Sequence, residues 1–160
     1  MKQQLALTVL LALMLPQAML RAEENMHLHG TLVEPPACVI NGDQPIDVDF
    51  GKEVMTTRVD GTNYRQPLRY SLECADGVPT ALKLQIQGSG AGFDKEALLT
   101  NKGDLGIALL SNGSRFPLNT WVNMTYPNTP QLQAVPIKRD GSTLTGGDFS
   151  AGATMMVDYQ

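Results

Sequence analysis

The stretch Gly146-Gly147-Asp148-Phe149-Ser150-Ala151-Gly152-Ala153-Thr154-Met155-Met156-Val157-Asp158-Tyr159-Gln160 decides the fold. Gly147, Phe149, Ala151, Ala153, Met155, Val157 and Tyr159 occupy one parity. Asp148, Ser150, Gly152, Thr154, Asp158 and Gln160 occupy the other, with Met156 its single apolar member. Successive side chains of a strand point to opposite faces, so this pattern predicts a strand with a continuous apolar stripe on one side. An ordinary last strand inside a complete sheet carries the same pattern. Alternation alone therefore leaves open what covers the stripe.

Upstream, the same period recurs in short pieces. Leu68, Tyr70, Leu72 and Cys74 share one face of a strand, and Leu82, Leu84 and Ile86 share another. Ile46, Val48 and Phe50 alternate with Asp47 and Asp49, while Val135 and Ile137 alternate with Ala134, Pro136 and Lys138. Ile107 to Leu110 is a compact apolar run suited to a central strand. Between them fall Asn41-Gly42, Asp60-Gly61, Asp76-Gly77, Asn112-Gly113 and Asp140-Gly141, pairs that tolerate the positive φ of tight turns. Only Asp94 to Asn101 reads as helical, with Asp94 as its N-cap. Many short strands at this spacing predict an all-β sandwich.

The chain of 160 residues has room for one ordinary domain. Lys2 precedes an apolar core from Leu5 to Leu15, and Pro16-Gln17 then interrupts it, the layout of a secretory signal peptide. That run is too short to span a bilayer, which needs about 20 apolar residues. We expect a signal peptide over 1–22, an N-terminal extension over 23–37 and the folded domain over 38–160. The mature chain is expected to have no membrane insertion. Export gives meaning to the two cysteines, Cys38 and Cys74, because a thiol pair in an oxidising compartment usually closes. The bridge would enclose a loop of roughly 37 residues, for which chain entropy gives about 4 kcal/mol at most.

The extension alternates as well. Met26, Leu28, Gly30 and Leu32 face one way, and Asn25, His27, His29 and Thr31 the other. An edge strand offers unpaired N–H and C=O groups to which a foreign strand can add, its alternate side chains filling pockets. An extension at one end and an apolar stripe at the other permit a head-to-tail contact, and a contact of that kind that does not close builds a fibre.

Other chemistry is poorly provided for. A net charge of −4 argues against binding nucleic acid. His27 and His29 could offer two metal ligands at i, i+2, but there is no third histidine, and Asp43, Asp47 and Asp49 lack the calcium-loop pattern. Gly88-Ser89-Gly90-Ala91-Gly92 lacks the Lys and Ser/Thr of a phosphate loop and reads as a flexible turn. No Gly-x-Ser-x-Gly is present, so a hydrolase reading has little to work with. Trp121 reads as a core or rim aromatic, rather than a sugar platform. No cofactor and no enzyme activity are expected.

Taken together, His27 to Val33, Pro35-Pro36-Ala37-Cys38, Ile46-Asp47-Val48-Asp49-Phe50-Gly51, Cys74, Gly106-Ile107-Ala108-Leu109 and the ending from Gly146 through Tyr159 resemble a chaperone–usher pilin. The nearest likeness is to minor, adaptor-type subunits of P-pilus-like fimbriae. The resemblance covers nearly the whole chain after the signal segment and is weakest between Phe116 and Gln133. Gly147, the penultimate Tyr159 and the cysteine pair make it specific. It implies an incomplete immunoglobulin-like sandwich lacking its last strand, and a fimbrial subunit that supports cell adhesion. It also implies three kinds of partner: a periplasmic pilus chaperone that lends a strand, an outer-membrane usher, and neighbouring pilin subunits in a hetero-polymer. On this likeness Met26, Leu28, Gly30 and Leu32 are donor positions. Gly147, Phe149, Ala151, Ala153, Met155, Val157 and Tyr159 line the acceptor strand, and the Gln160 carboxylate meets basic chaperone residues. The competing expectation is a self-contained secreted β-sandwich that binds a carbohydrate or protein ligand.

Overall fold

The computed structural model describes Met26, residues 28–32 and residues 38–160. The expected signal segment 1–22, residues 23–25, His27 and residues 33–37 lie outside the described residues. Residues 1–33 and 34–160 form separate contact units.

Among the described residues of the second unit the chain runs through ten strands: β1 (Cys38–Ile40), β2 (Gln66–Leu68), β3 (Leu72–Cys74), β4 (Ala81–Gln87), β5 (Ala97–Leu99), β6 (Leu105–Ser111), β7 (Ser114–Arg115), β8 (Val122–Thr125), β9 (Leu132–Lys138) and β10 (Thr154–Tyr159). Short 3-10 turns occupy Asn41–Asp43 and Thr56–Arg58. Every strand pairing is antiparallel. One sheet has the order β10-β4-β8, a second has β2-β9-β6-β5 with β7 also on β6, and β1 pairs with β3. The all-β expectation holds, and the sheets do not close on themselves.

The core forms where the two larger sheets present their apolar parities. Leu82, Leu84 and Ile86 of β4 share one buried cluster with Ile107 and Leu109 of β6 and Leu132 and Ala134 of β9, together with Leu98, Phe116, Leu118 and Met124. Burial of each aliphatic side chain is worth about 1.5–3 kcal/mol. The run from Ile107 to Leu110 is central as expected: β6 is laddered to β9 on one side and β5 on the other. Its second face, Ala108 and Leu110, packs with Val135, which is why this strand reads as continuously apolar.

The disulfide closes between Cys38 and Cys74, which are register partners in the β1–β3 pair. Three expectations need correction. The strand read across Leu68 to Cys74 is two strands: β2 pairs with β9, and β3 leaves that sheet to pair with β1. Asp94 to Asn101 is not helical. Asp94 Oδ1 accepts from the Glu96 N–H in a short turn, and Ala97 and Leu98 then enter β5, both buried and laddered to β6. Packing against β6 overrides the local helical preference. The Gly88 to Gly92 stretch is no flexible turn either: Gly90 bridges Leu98, the Leu99 N–H donates to Ser89 O at 2.7 Å, and the Ala91 N–H donates to Ala97 O at 2.8 Å.

Candidate strand-binding groove

The site starts from the alternation of residues 147–159. On β10, Met155 opposes Ile86, Val157 opposes Leu84 and Tyr159 opposes Leu82, so these side chains share the inward face of β4. Their burial differs sharply. Leu82, Leu84 and Ile86 are 0%, 0% and 3% exposed, whereas Met155, Val157 and Tyr159 remain only half-buried. Before them Phe149 is half-buried, and Gly147, Ala151 and Ala153 are exposed. Both strands carry apolar residues on the same face, but β4 has a neighbour on each side and β10 is the edge of its sheet.

Backbone direction follows the same parity. The Gln160 N–H donates to Ala81 O at 3.3 Å, and the Ser150 N–H donates to Asn101 Oδ1 at 3.0 Å. Even-numbered residues thus turn their N–H and C=O toward β4 and the 100–105 loop. Within the ladder, alternation turns those of Met155 and Val157 toward the opposite edge. No described strand is laddered along that edge. Met155 and Val157 therefore each contribute a backbone pair to the edge and a half-buried side chain to the face beneath it.

The far wall comes from Val48 and Phe50, both half-buried and packed on the main core. Asp47 and Asp49 on the alternate parity are exposed, and Asp49 Oδ1 accepts from the Gly51 N–H at 2.7 Å, which turns the chain away at Gly51 (φ 78°). The alternation of residues 46–50 is legible in the sequence, whereas its place beside the groove is not. The rings of Phe50 and Phe149 meet at 5.7 Å between centroids. Beside them lies a cavity of about 580 Å³ whose lining mixes Val48, Phe50 and Phe149 with the charged Lys52, Lys102 and Asp148.

On the outward face of the sheet Lys83 Nζ stands 3.1 Å from Asp158 Oδ2 and 5.2 Å from the centre of the Trp121 ring. The Tyr159 backbone N–H, donating to Asp158 Oδ1 at 2.8 Å, and then Lys83 hold the Asp158 carboxyl below its ordinary value. Trp121 is 38% exposed, a rim position. Gln160 spans strand ends, its Nε2 donating to Leu82 O at 2.6 Å.

In the first unit Met26, Leu28 and Leu32 are 68%, 88% and 101% exposed, and Gly30 has open space around its Cα. None of the described residues 26 and 28–32 belongs to a strand. Among the described residues no helix is long and apolar enough to cross a membrane, and no three His, Cys, Asp or Glu side chains converge as a metal site. A cleft with an apolar stripe, beside a strand edge that no described strand pairs, can take an extended peptide, supplying ladder hydrogen bonds and side-chain seats together.

Three comparisons bear on this geometry. The model of the family described as "Fimbrial protein" matches residues 26–160. The fimbrial-like protein YfcR of Escherichia coli (strain K12) is 40% identical over 131 residues, covering 79% of this chain and 75% of its own. The fimbrial adapter PapF of Escherichia coli is 28% identical over 166 aligned positions, covering 96% of this chain and 98% of its own. A solved structure of the P pilus adaptor subunit PapF, determined in connection with its polymerization reactivity, superposes with a TM-score of 0.60 at 27% identity, over 79% of this chain and 98% of that one.

Proposed function

The chain belongs to the fimbrial protein family, and from that premise we propose that it is a minor, adaptor-type subunit of a surface fimbria built by donor-strand exchange. Its homologues include minor and adaptor fimbrial subunits; the family is one of structural subunits, and its fold is the immunoglobulin-like pilin sandwich. The chain is not an enzyme.

The observation that carries the reading is the contrast between neighbouring strands. The inward side chains of β4 are sealed, and those of β10, in register with them, are partly open to solvent. A self-contained sandwich would cover both. An incoming strand lying along the β10 edge completes the sheet and buries Phe149, Met155 and Val157. A cleft of this kind left open is an aggregation hazard, which a periplasmic chaperone removes by lending a strand. At the outer-membrane usher, the extension of a neighbouring subunit replaces it. Exchange for a better-packed strand is downhill and needs no nucleotide.

In this scheme residues 1–22 direct export, residues 23–37 form the donor segment with Met26, Leu28, Gly30 and Leu32 as its inserted parity, and residues 38–160 form the acceptor domain. The exposure of Met26, Leu28 and Leu32 supports that donor role, because large apolar side chains at alternate positions call for a covering surface. The route runs through the periplasm to the cell surface.

Expression of the mature chain in the periplasm with and without its cognate chaperone tests the reading. We expect a soluble one-to-one complex with the chaperone, and aggregation or degradation without it. A stable soluble monomer that keeps its fold without a chaperone, and after deletion of residues 23–37, would overturn it.

A further inference from the structure

Only Thr154–Tyr159 of the open edge is held by a ladder to β4, yet the apolar parity runs back to Gly147. The preceding residues are held by the 100–105 loop, through one backbone hydrogen bond and several from side chains. Thr100, only 6% exposed, folds the 100–105 loop: its hydroxyl is 2.8 Å from Leu105 O and accepts from the Lys102 N–H at 3.0 Å. That turn presents Asn101 to the segment before β10. The Asn101 backbone N–H donates to Ser150 O at 3.3 Å, its Oδ1 accepts from the Ser150 N–H at 3.0 Å, and its Nδ2 approaches Asp148 O at 3.4 Å. Lys102 Nζ donates to Gly146 O at 2.8 Å. One asparagine and one lysine thus take the place of a partner strand, satisfying even-numbered backbone groups at Gly146, Asp148 and Ser150. The Phe149 side chain between them packs against Phe50 and lines the cavity at the end of the groove.

We propose that Asn101 and Lys102 are positioning residues that lengthen the acceptor edge beyond its laddered part, holding residues 146–150 extended so that an incoming strand pairs along the whole apolar parity. The role rests on the donor-strand reading above. Asn119 gives a local precedent: its amide Nδ2 and Oδ1 bracket Gly88 O and N, each at 3.0 Å, just past the end of β4.

The test uses the mature protein in whichever form, free or chaperone-bound, is soluble, with Asn101→Ala, Asn101→Asp and the milder surface change Lys102→Met. Amide hydrogen exchange is the first arm. Protection at 148–150 should fall in Asn101→Ala while that of 154–159 is retained; unchanged protection at 148–150 overturns the proposal. In the second arm a synthetic peptide of residues 23–37, and versions trimmed by five residues from either end, are offered as donors. Losing one or two hydrogen bonds at the groove end should speed release of the full peptide about tenfold. The penalty should persist with one trimmed peptide and vanish with the other, which no longer reaches 147–151. Asn101→Asp, which keeps the acceptor for the Ser150 N–H, should restore part of the loss. Equal penalties with both trimmed peptides would mean general destabilisation and would overturn the positioning role. Lost protection at 148–150 combined with no uptake of any peptide by the wild type would instead overturn the donor-strand reading.

Discussion

The rings of Phe50 and Phe149 face each other at 5.7 Å between centroids with planes inclined at 43°. They belong to two segments that share no ladder, one leading into Gly51 and the other into β10. Side-chain packing between them closes one end of the groove. Aromatic pairs of this geometry are worth about 0.5–1.5 kcal/mol beyond burial. Phe50→Ala and Phe149→Ala should each cost about 1–2 kcal/mol, less than the roughly 3–5 of a fully buried phenylalanine. A double-mutant cycle in urea should return a coupling of about 0.5–1.5 kcal/mol; strict additivity would show that the contact is not formed in solution.

Parity along β10 separates capture from stability. Val157 faces inward opposite Leu84, and Thr154 is exposed opposite Gln87. Val157→Asp or Ala153→Asp should abolish chaperone capture in a co-purification assay, since the carboxylate would be desolvated by the incoming strand. Thr154→Asp should be tolerated. Equal losses at both parities would reverse the assigned facing.

Gly90 is fixed by backbone rather than by turn flexibility. A Cβ there would lie 2.6 Å from Lys95 O and 3.0 Å from Lys95 Cα, whereas one at Gly92 would meet only the end of Arg139 at 3.9 Å. Gly90→Ala should therefore destabilise the fold by about 1–3 kcal/mol, while Gly92→Ala stays within about 0.5 kcal/mol. Urea midpoints decide the matter, and equal small effects would restore the flexible-turn reading.

The bridge between Cys38 and Cys74 ties β1 to β3 across a sequence separation of 36. Replacing both cysteines by serine should cost about 2–4 kcal/mol. The unfolding midpoint should drop correspondingly, and the wild type under reductant should follow the variant. A midpoint unmoved by either treatment would count against a structural role for the bridge.

Acid should act partly through Asp158. Its carboxyl is depressed below 3.8 by the Tyr159 N–H first and by Lys83 second. A carboxylate whose folded value is lowered contributes stability that is complete above its unfolded value and is lost as pH falls through the folded one. The wild type should lose stability below about pH 3.8, and Asp158→Asn should lose less over the same interval. Asp60, lowered by the N–H groups of Asn63 and Thr62, adds a parallel loss that the variant retains. Identical acid slopes in the two proteins would rule out the Asp158 contribution.

Much of this was legible locally. Period two is a property of neighbouring residues, so the parity of 147–159, the inward face of Leu82, Leu84 and Ile86, and the centrality of Ile107 to Leu110 could be read without knowing any partner strand. Two cysteines left one possible pairing. What depended on distant segments could not be read that way. Residues 66–74 keep one apolar face yet divide between two sheets, because β9 and β1 claim successive pieces. Asp94 to Asn101 has a helical look, but burial of Ala97 and Leu98 against β6 outweighs a short helix with little to stabilise it. The open side of β10, the placing of Phe50 beside Phe149 and the support that Asn101 gives Ser150 were decided only by the tertiary structure. An edge is defined by which strands pair across the whole chain, and side-chain alternation reports the face of a strand, never its neighbours.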